Sequence, residues 1–179
     1  MSNEVSLGPS GSTSISRTAV YTGSFDPVTL GHLSVIERSC LLFDRLVVAV
    51  GVNIEKVSMF TLAERVNLLR RVTSHLPNVE ISTFDGLAVD YVRGLGARIM
   101  VRGIRPLTDI AGEFTMMMAN RQLDPDIETV FLMADESYVH VSSSLIKQIA
   151  PLADESKLSR FVPAAIIPDI LRKLSPERH

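Results

Sequence analysis

The chain has 179 residues, 46% of them hydrophobic and 21% charged, with a formal net charge of −2. That size suits one domain that buries a full core without disulfides or structural zinc, and the near-neutral balance argues against a dedicated nucleic-acid binder. A single cysteine, Cys40, excludes an intramolecular disulfide framework and a four-cysteine zinc site; it fits a reducing, cytoplasmic compartment.

Residues 1–16 carry Ser, Gly and Pro with scattered apolar side chains. They read, with residue 17, as a flexible and dispensable leader without the continuous apolar core of a signal peptide. Residues 18–22 (TAVYT) form a short β-rich run, and a Gly-containing loop follows. Leu33, Ile36, Cys40 and Phe43 then recur at helical spacing. Residues 46–52 (LVVAVGV) are almost continuously apolar, as in a parallel strand buried on both faces. Thr61 and Glu64 form a capping box opening a helix with Leu62, Val66, Leu69, Val72 or Thr73, and Leu76 on one face, stopped by Pro77. Residues 79–84 are the third strand, residues 87–95 a short helix closed by Gly94 and Gly96, and residues 98–101 the fourth strand. Thr108 should cap a helix that turns Ile110, Phe114, Met117 and Met118 inward and ends at Asp124-Pro125. Residues 129–133 are the fifth strand; residues 142–149 and 164–174 are the last helices, and residues 175–179 a loose tail.

Strands alternating with helices imply an α/β domain over residues 18–174: a doubly wound, five-stranded parallel sheet of Rossmann-like type. Ligands of such sheets bind beyond the carboxyl ends of the strands. No apolar run approaches the roughly 18–20 residues that cross a membrane.

Three segments fall on that edge. The first is TGSFDPVTLGH, residues 22–32. Gly23 and Gly31 would let the backbone approach a ligand, and His32 would face a phosphate bound at the helix N-terminus. Taken alone, Asp26-Pro27 could be a plain turn and His32 an ordinary polar helix-start residue. The second is the loop after strand four, where Arg102 and Arg105 flank Gly103; guanidinium forks recognise phosphates through paired donors. The third is Ser142, Ser143 and Ser144, whose hydroxyls and amides open a helix; simple N-capping would need one of them. Lys56 alone carries a weak signal. Asp109 and Glu113 stand four apart on one helix face and could bind a metal or a ribose; for Asp109 the helix dipole alone is the better account. Cys40 reads as inert core, and the methionines at positions 116–118 as core or subunit contact.

These segments carry a resemblance. TLGH (29–32) resembles the [HT]-x-G-H motif of nucleotidyltransferases related to class I aminoacyl-tRNA synthetases, and SSSLIK (142–147) their second phosphate-binding motif. Together with KVSMFTLAER, MVRGIRPLTDIAGE, ANRQL and ETVFLM, they are similar to bacterial phosphopantetheine adenylyltransferases over residues 18–174. The resemblance implies transfer of an adenylyl group from MgATP to 4′-phosphopantetheine, giving dephospho-coenzyme A and pyrophosphate. It further implies a cytoplasmic homohexamer with possible feedback by coenzyme A, and no protein ligands for magnesium beyond those the ATP phosphates supply.

By the same resemblance, His32, Lys56 and Arg102 are catalytic. Ser24, Lys56, Ala88 and Arg102 contact phosphopantetheine. Ser24, Phe25, His32, Gly103, Ile104, Arg105 and Glu113 contact ATP, as do Tyr138, Val139, His140, Val141, Ser142, Ser143 and Ser144. The chain departs from the family pattern at residues 151–154 (PLAD in place of Gly-Gly-Asp), at Val57 and at Gly112. A related adenylyl- or cytidylyltransferase with another phosphate acceptor, or a non-catalytic nucleotide-binding protein, are the alternatives.

Overall fold

The continuous apolar runs become the centre of a sheet. In the computed structural model, which describes residues 17–51, 57–104 and 110–175, β1 (Thr18–Gly23) and β2 (Arg45–Gly51) are buried along nearly their whole length. β3 (Val79–Phe84) and β5 (Glu128–Met133) are half exposed at the two edges, and β4 (Ile99–Ile104) lies between β1 and β5. The order is β3-β2-β1-β4-β5 and every pairing is parallel, with Tyr21 level with Val48 on one side and Val101 on the other. The chain reverses its direction of winding between β1 and β4, which is where such a sheet opens a crevice.

Because side chains alternate across a strand, the sheet feeds two cores. Ala19, Tyr21, Leu46, Val48 and Val50 face α1 (Leu30–Leu42), α2 (Leu62–Val72) and the C-terminal helices. Val20, Val47, Ala49 and Met100 face the other way, onto Val89 and Val92 of α3 (Ala88–Gly94) and onto Ile127. The helix stops follow local chemistry. Gly96 takes φ +67, and the N–H groups of Gly96 and Ala97 return to Arg93 and Val92, closing α3.

The C-terminal part differs from the sequence reading. α5 (Ser143–Ile149) is followed by a short α6 (Glu155–Leu158), N-capped by Asp154, that periodicity did not reveal; it spans a single turn. The last helix, α7 (Ile167–Leu174), starts later than expected because residues 164–166 form a 3-10 turn. α2 ends at Val72, four residues before Leu76.

The larger correction concerns α4 (Ile110–Leu123). Ile110, Phe114 and Met118 do not point inward: they are 46%, 53% and 57% exposed, Met116 likewise at 54%, and Met117 is half-buried. Asn120 is the buried residue of this helix, its amide against the Met100 sulfur. An apolar helix in sequence is here apolar towards the outside of the single chain. Thr108, expected to cap it, lies outside the described residues, as do the expected leader (residues 1–16), most of the tail, and Asp109.

The capping box of α2 is built as expected. The Thr61 hydroxyl accepts the Glu64 N–H and the Glu64 carboxylate accepts the Thr61 N–H at 2.7 Å; the other carboxylate oxygen meets the Lys173 ammonium of α7 at 2.9 Å. Lys173, then the Thr61 N–H, holds the Glu64 carboxyl below its ordinary value of 4.5. A depressed folded-state value means stabilisation present above the ordinary value and lost as pH falls through the lower one. Glu64→Gln should therefore lower Tm at neutral pH, and the difference from the wild type should shrink as pH falls below the ordinary value of 4.5 and vanish once it is below the lowered one. A Tm difference independent of pH would show that the carboxylate charge contributes nothing.

Candidate active site

The loop after β1 is held by its own aromatic ring. Phe25 takes φ +46, rare for a bulky residue. The conformation persists because the ring is fully enclosed, edge-on to Tyr21 at 5.2 Å and to His32 at 5.1 Å. Gly23 makes this possible: a Cβ there would stand 2.9 Å from the Phe25 ring. Gly23 also lines the cleft, as expected of a backbone that a ligand can approach, and the Phe25 ring adds an internal reason for glycine there.

His32 is positioned by the helix it opens. Thr29 N-caps α1, its hydroxyl accepting the His32 N–H, while the imidazole Nδ1 accepts the Thr29 N–H at 3.1 Å. This is a capping box with an imidazole in the usual place of a carboxylate. With Nδ1 accepting a main-chain proton, the neutral ring carries its own proton on Nε2, and His32 lines the cleft over the β1–β4 crevice. The cleft has a volume of about 270 Å³.

Arg102 belongs to β4, not to a loop after it, as do Gly103 and Ile104. Its guanidinium reaches across to the Thr22 carbonyl at 2.8 Å and grips both Glu113 oxygens, at 2.7 and 2.6 Å. Two residues assigned separately from sequence are therefore one ion pair, joining β4 to the first turn of α4. Gly103 keeps β4 close to its neighbours, since a Cβ would stand 3.0 Å from the Tyr21 hydroxyl.

The three serines divide their work. Ser142 caps α5 through the Leu145 N–H, the Ser143 hydroxyl donates to the Pro27 carbonyl at 2.8 Å, and Ser144 is exposed. At the other end of that motif, the Lys147 ammonium donates to Asp26 at 2.5 Å and to the Val57 carbonyl at 2.9 Å. Asp26 is 4% exposed and also accepts the N–H groups of Met59 and Phe60.

All of these residues line the one cleft: Ser24, Phe25, His32, Arg102, Gly103, Glu113, Tyr138, Val141 and the three serines. Four of the expected residues do not line it. Ala88 packs on the smaller core beside Phe84 and Tyr91; Ile104 lies half-buried at the end of β4; Val139 follows the short turn Glu136–Tyr138; His140 is exposed, edge-on to Phe161 at 5.9 Å. Lys56 and Arg105 lie outside the described residues. Sequence reasoning missed Thr22, Asp26 and Arg65, and quoted Lys147 without giving it a place in the site. For Arg65 a signal existed: it stands three residues after Leu62 and four before Leu69, on the apolar stripe of α2.

Residues 20–149 match the cytidylyltransferase-like family model. A phosphopantetheine adenylyltransferase of Rhodopirellula baltica is 67% identical over 158 residues, 88% of either chain. One of Clostridium botulinum is 44% identical over 157 residues, covering 88% of this chain and 98% of that one. The chain belongs to the phosphopantetheine adenylyltransferase family.

The fold is shared more widely than the family. A solved structure of Plasmodium falciparum nicotinic acid mononucleotide adenylyltransferase covers 88% of this chain and 95% of its own at a TM-score of 0.65, with 11% identity. One from Vibrio parahaemolyticus reaches 0.66 at 17% identity, covering 90% and 98%. Within the phosphopantetheine adenylyltransferase family pattern, the substituted residues 151–154 are absorbed locally: Pro151 lies in a 3-10 turn and Asp154 caps α6. Val57 is exposed and contributes its carbonyl to Lys147, while Gly112 faces open space.

Asp26→Asn tests how the cleft is held. An amide cannot accept from Lys147 as a carboxylate does, and its NH₂ would oppose a donor. The expected loss is about 2–4 kcal/mol, below the full value for a buried pair because the Lys147 side chain is 30% exposed. Urea unfolding measures it; a loss under about 0.5 kcal/mol, the range of ordinary surface changes, would show that the pair does not hold the loop.

Proposed function

We propose that the protein transfers the adenylyl group of MgATP to 4′-phosphopantetheine, giving dephospho-coenzyme A and pyrophosphate. The observation that carries the chemistry is convergence: donors from β1–α1, β4 and α5 meet in one cleft at the reversal of the sheet. The acceptor is taken from the names of the relatives, which match along most of this chain. A related transferase using another acceptor would share the fold, and the Plasmodium enzyme does; high identity to phosphopantetheine adenylyltransferases favours the first reading.

In this reading no side chain is a nucleophile. An oxygen of the acceptor phosphate attacks the α-phosphorus of ATP, the bond from that phosphorus to the bridging oxygen breaks, and pyrophosphate leaves. The protein's part is to orient the two phosphates and to stabilise charge at the α-phosphate. His32 would supply a hydrogen bond from Nε2; Arg102 and Lys147 supply positive charge, and the α1 N-terminus a partial one. Glu113 and Asp26 already hold those two cations in place, so incoming phosphate joins a formed ion pair.

Magnesium would arrive on the nucleotide. Magnesium typically binds phosphate oxygens and few protein ligands, and the two carboxylates that line the cleft, Asp26 and Glu113, are already engaged by cations. We place the reaction in the cytoplasm. No helix of the described residues is long and apolar enough to cross a membrane. Feedback by coenzyme A belongs to the same proposal.

His32→Ala should reduce kcat by roughly 10²–10³, the loss expected for one preorganised donor, with native circular dichroism. Pyrophosphate release with ATP and a panel of phosphorylated acceptors is the assay. Turnover of 4′-phosphopantetheine no better than of nicotinate mononucleotide would overturn the acceptor, and near wild-type turnover of the variant the role of His32.

The hexamer is supported by the apolar outer face of α4, where Phe114 stacks on Phe131 of β5 at 6.2 Å and Met133 is 52% exposed. Large apolar side chains exposed together on a single chain fit a contact with further copies. Light scattering should give the mass of six 19.7 kDa chains, and Phe114→Asp should give a smaller species. A monomeric wild type would end this part of the proposal.

A further inference from the structure

Arg65 is a buried cation without a counter-ion among the described residues. Its side chain comes off α2, yet only 3% of the residue is exposed. One terminal nitrogen, NH1, donates to the Ser24 carbonyl at 2.9 Å and to the Gly51 carbonyl at 3.3 Å. Nε is buried with no hydrogen-bond partner among the described residues. Arg65 also lines the cleft that Ser24 and His32 line.

As a purely structural pin this is a poor device. A buried guanidinium costs several kcal/mol of desolvation unless a carboxylate answers it, and an unpaired buried N–H adds to that cost. Two carbonyls are partial compensation. What the arrangement does achieve is geometric. Ser24 stands just after the end of β1 and Gly51 at the end of β2, and one guanidinium nitrogen spans both. Ser24 has a further demand on its backbone, because it lies between Gly23 and Phe25, whose positive φ turns the chain sharply. Fixing the Ser24 carbonyl fixes the peptide plane from which the Ser24 side chain is presented to the cleft.

We propose that Arg65 is a positioning residue for adenylyl transfer, acting through Ser24: it locks the Ser24 peptide against the end of β2 and places a fixed positive charge beneath the floor on which the polyphosphate lies. The assignment rests on the adenylyl-transfer reading above. It requires both the reach to the two carbonyls and the charge. Lysine keeps the charge but offers a point ammonium on a shorter stem in place of a planar fork; methionine keeps neither.

The test is a double-mutant cycle read in kcat and KM for ATP and 4′-phosphopantetheine, well below each variant's Tm. Arg65→Lys and Ser24→Ala should each lower kcat, by roughly tenfold or more for a misplaced orienting group, and the double variant should be no slower than the worse single one. Arg65→Met should be slower than Arg65→Lys; if it does not fold, the lysine variant carries the cycle alone. A structural pin gives a different pattern: lower Tm with kcat unchanged in the folded protein. Unchanged kcat in Arg65→Lys, an unaffected Ser24→Ala, or multiplicative losses in the double variant would each overturn the assignment and leave the function standing. A wild-type protein that makes no dephospho-coenzyme A would overturn the function, and the assignment with it.

Discussion

One buried carboxylate holds the ligand edge together. Asp26 accepts two main-chain N–H groups from the segment leading into α2 and an ammonium from α5, so three stretches of chain, far apart in sequence, meet on two oxygen atoms. A carboxylate buried this way is tolerated because both of its oxygens are hydrogen-bonded and one of them meets a cation. The loop after β1 then has a fixed far end, and Phe25 can be forced into a left-handed conformation between Gly23 and Asp26. The ring in turn supports the imidazole of His32. The site is a consequence of that single anchoring.

The charges of the cleft are arranged by the same logic. Each described cation is held by protein oxygen: Arg102 by Glu113 and Thr22, Lys147 by Asp26 and Val57, Arg65 by two carbonyls. Long basic side chains lose much entropy when a ligand orders them. Here that ordering precedes any ligand. The compensation is unequal, since Arg102 and Lys147 face carboxylates and Arg65 does not.

The sheet was legible because its signals are local: the apolar runs of β1 and β2, the capping box of α2 and the glycine stop of α3 each declare themselves within a few residues. The ligand edge was legible because the rule of the parallel sheet says where to look. What stayed hidden is long-range. Nothing near Asp26 in sequence announces Lys147, 121 residues away. Arg102 and Glu113 sit 11 apart and were seen separately, because their pairing depends on β4 running on through Ile104. Periodicity found the apolar face of α4 but not its direction, since a helix face turned outward and one turned to its own core have the same spacing. The family resemblance carried the substrate, and it also brought Ala88, Ile104, Val139 and His140, which the cleft of the single chain does not include.

The two capping boxes invite comparison. In α2 the residue reaching back is Glu64, which then turns to a lysine on the protein's own surface. In α1 it is His32, which then turns to the cleft. One side chain thus both founds a helix and equips the site. Such a residue has little freedom to vary: a new donor chosen for the cleft must also start α1, and a better helix start must also serve the cleft. Any drift at position 32 is judged twice, and a protein built this way can exchange its imidazole only by rebuilding the first turn of the helix that carries it.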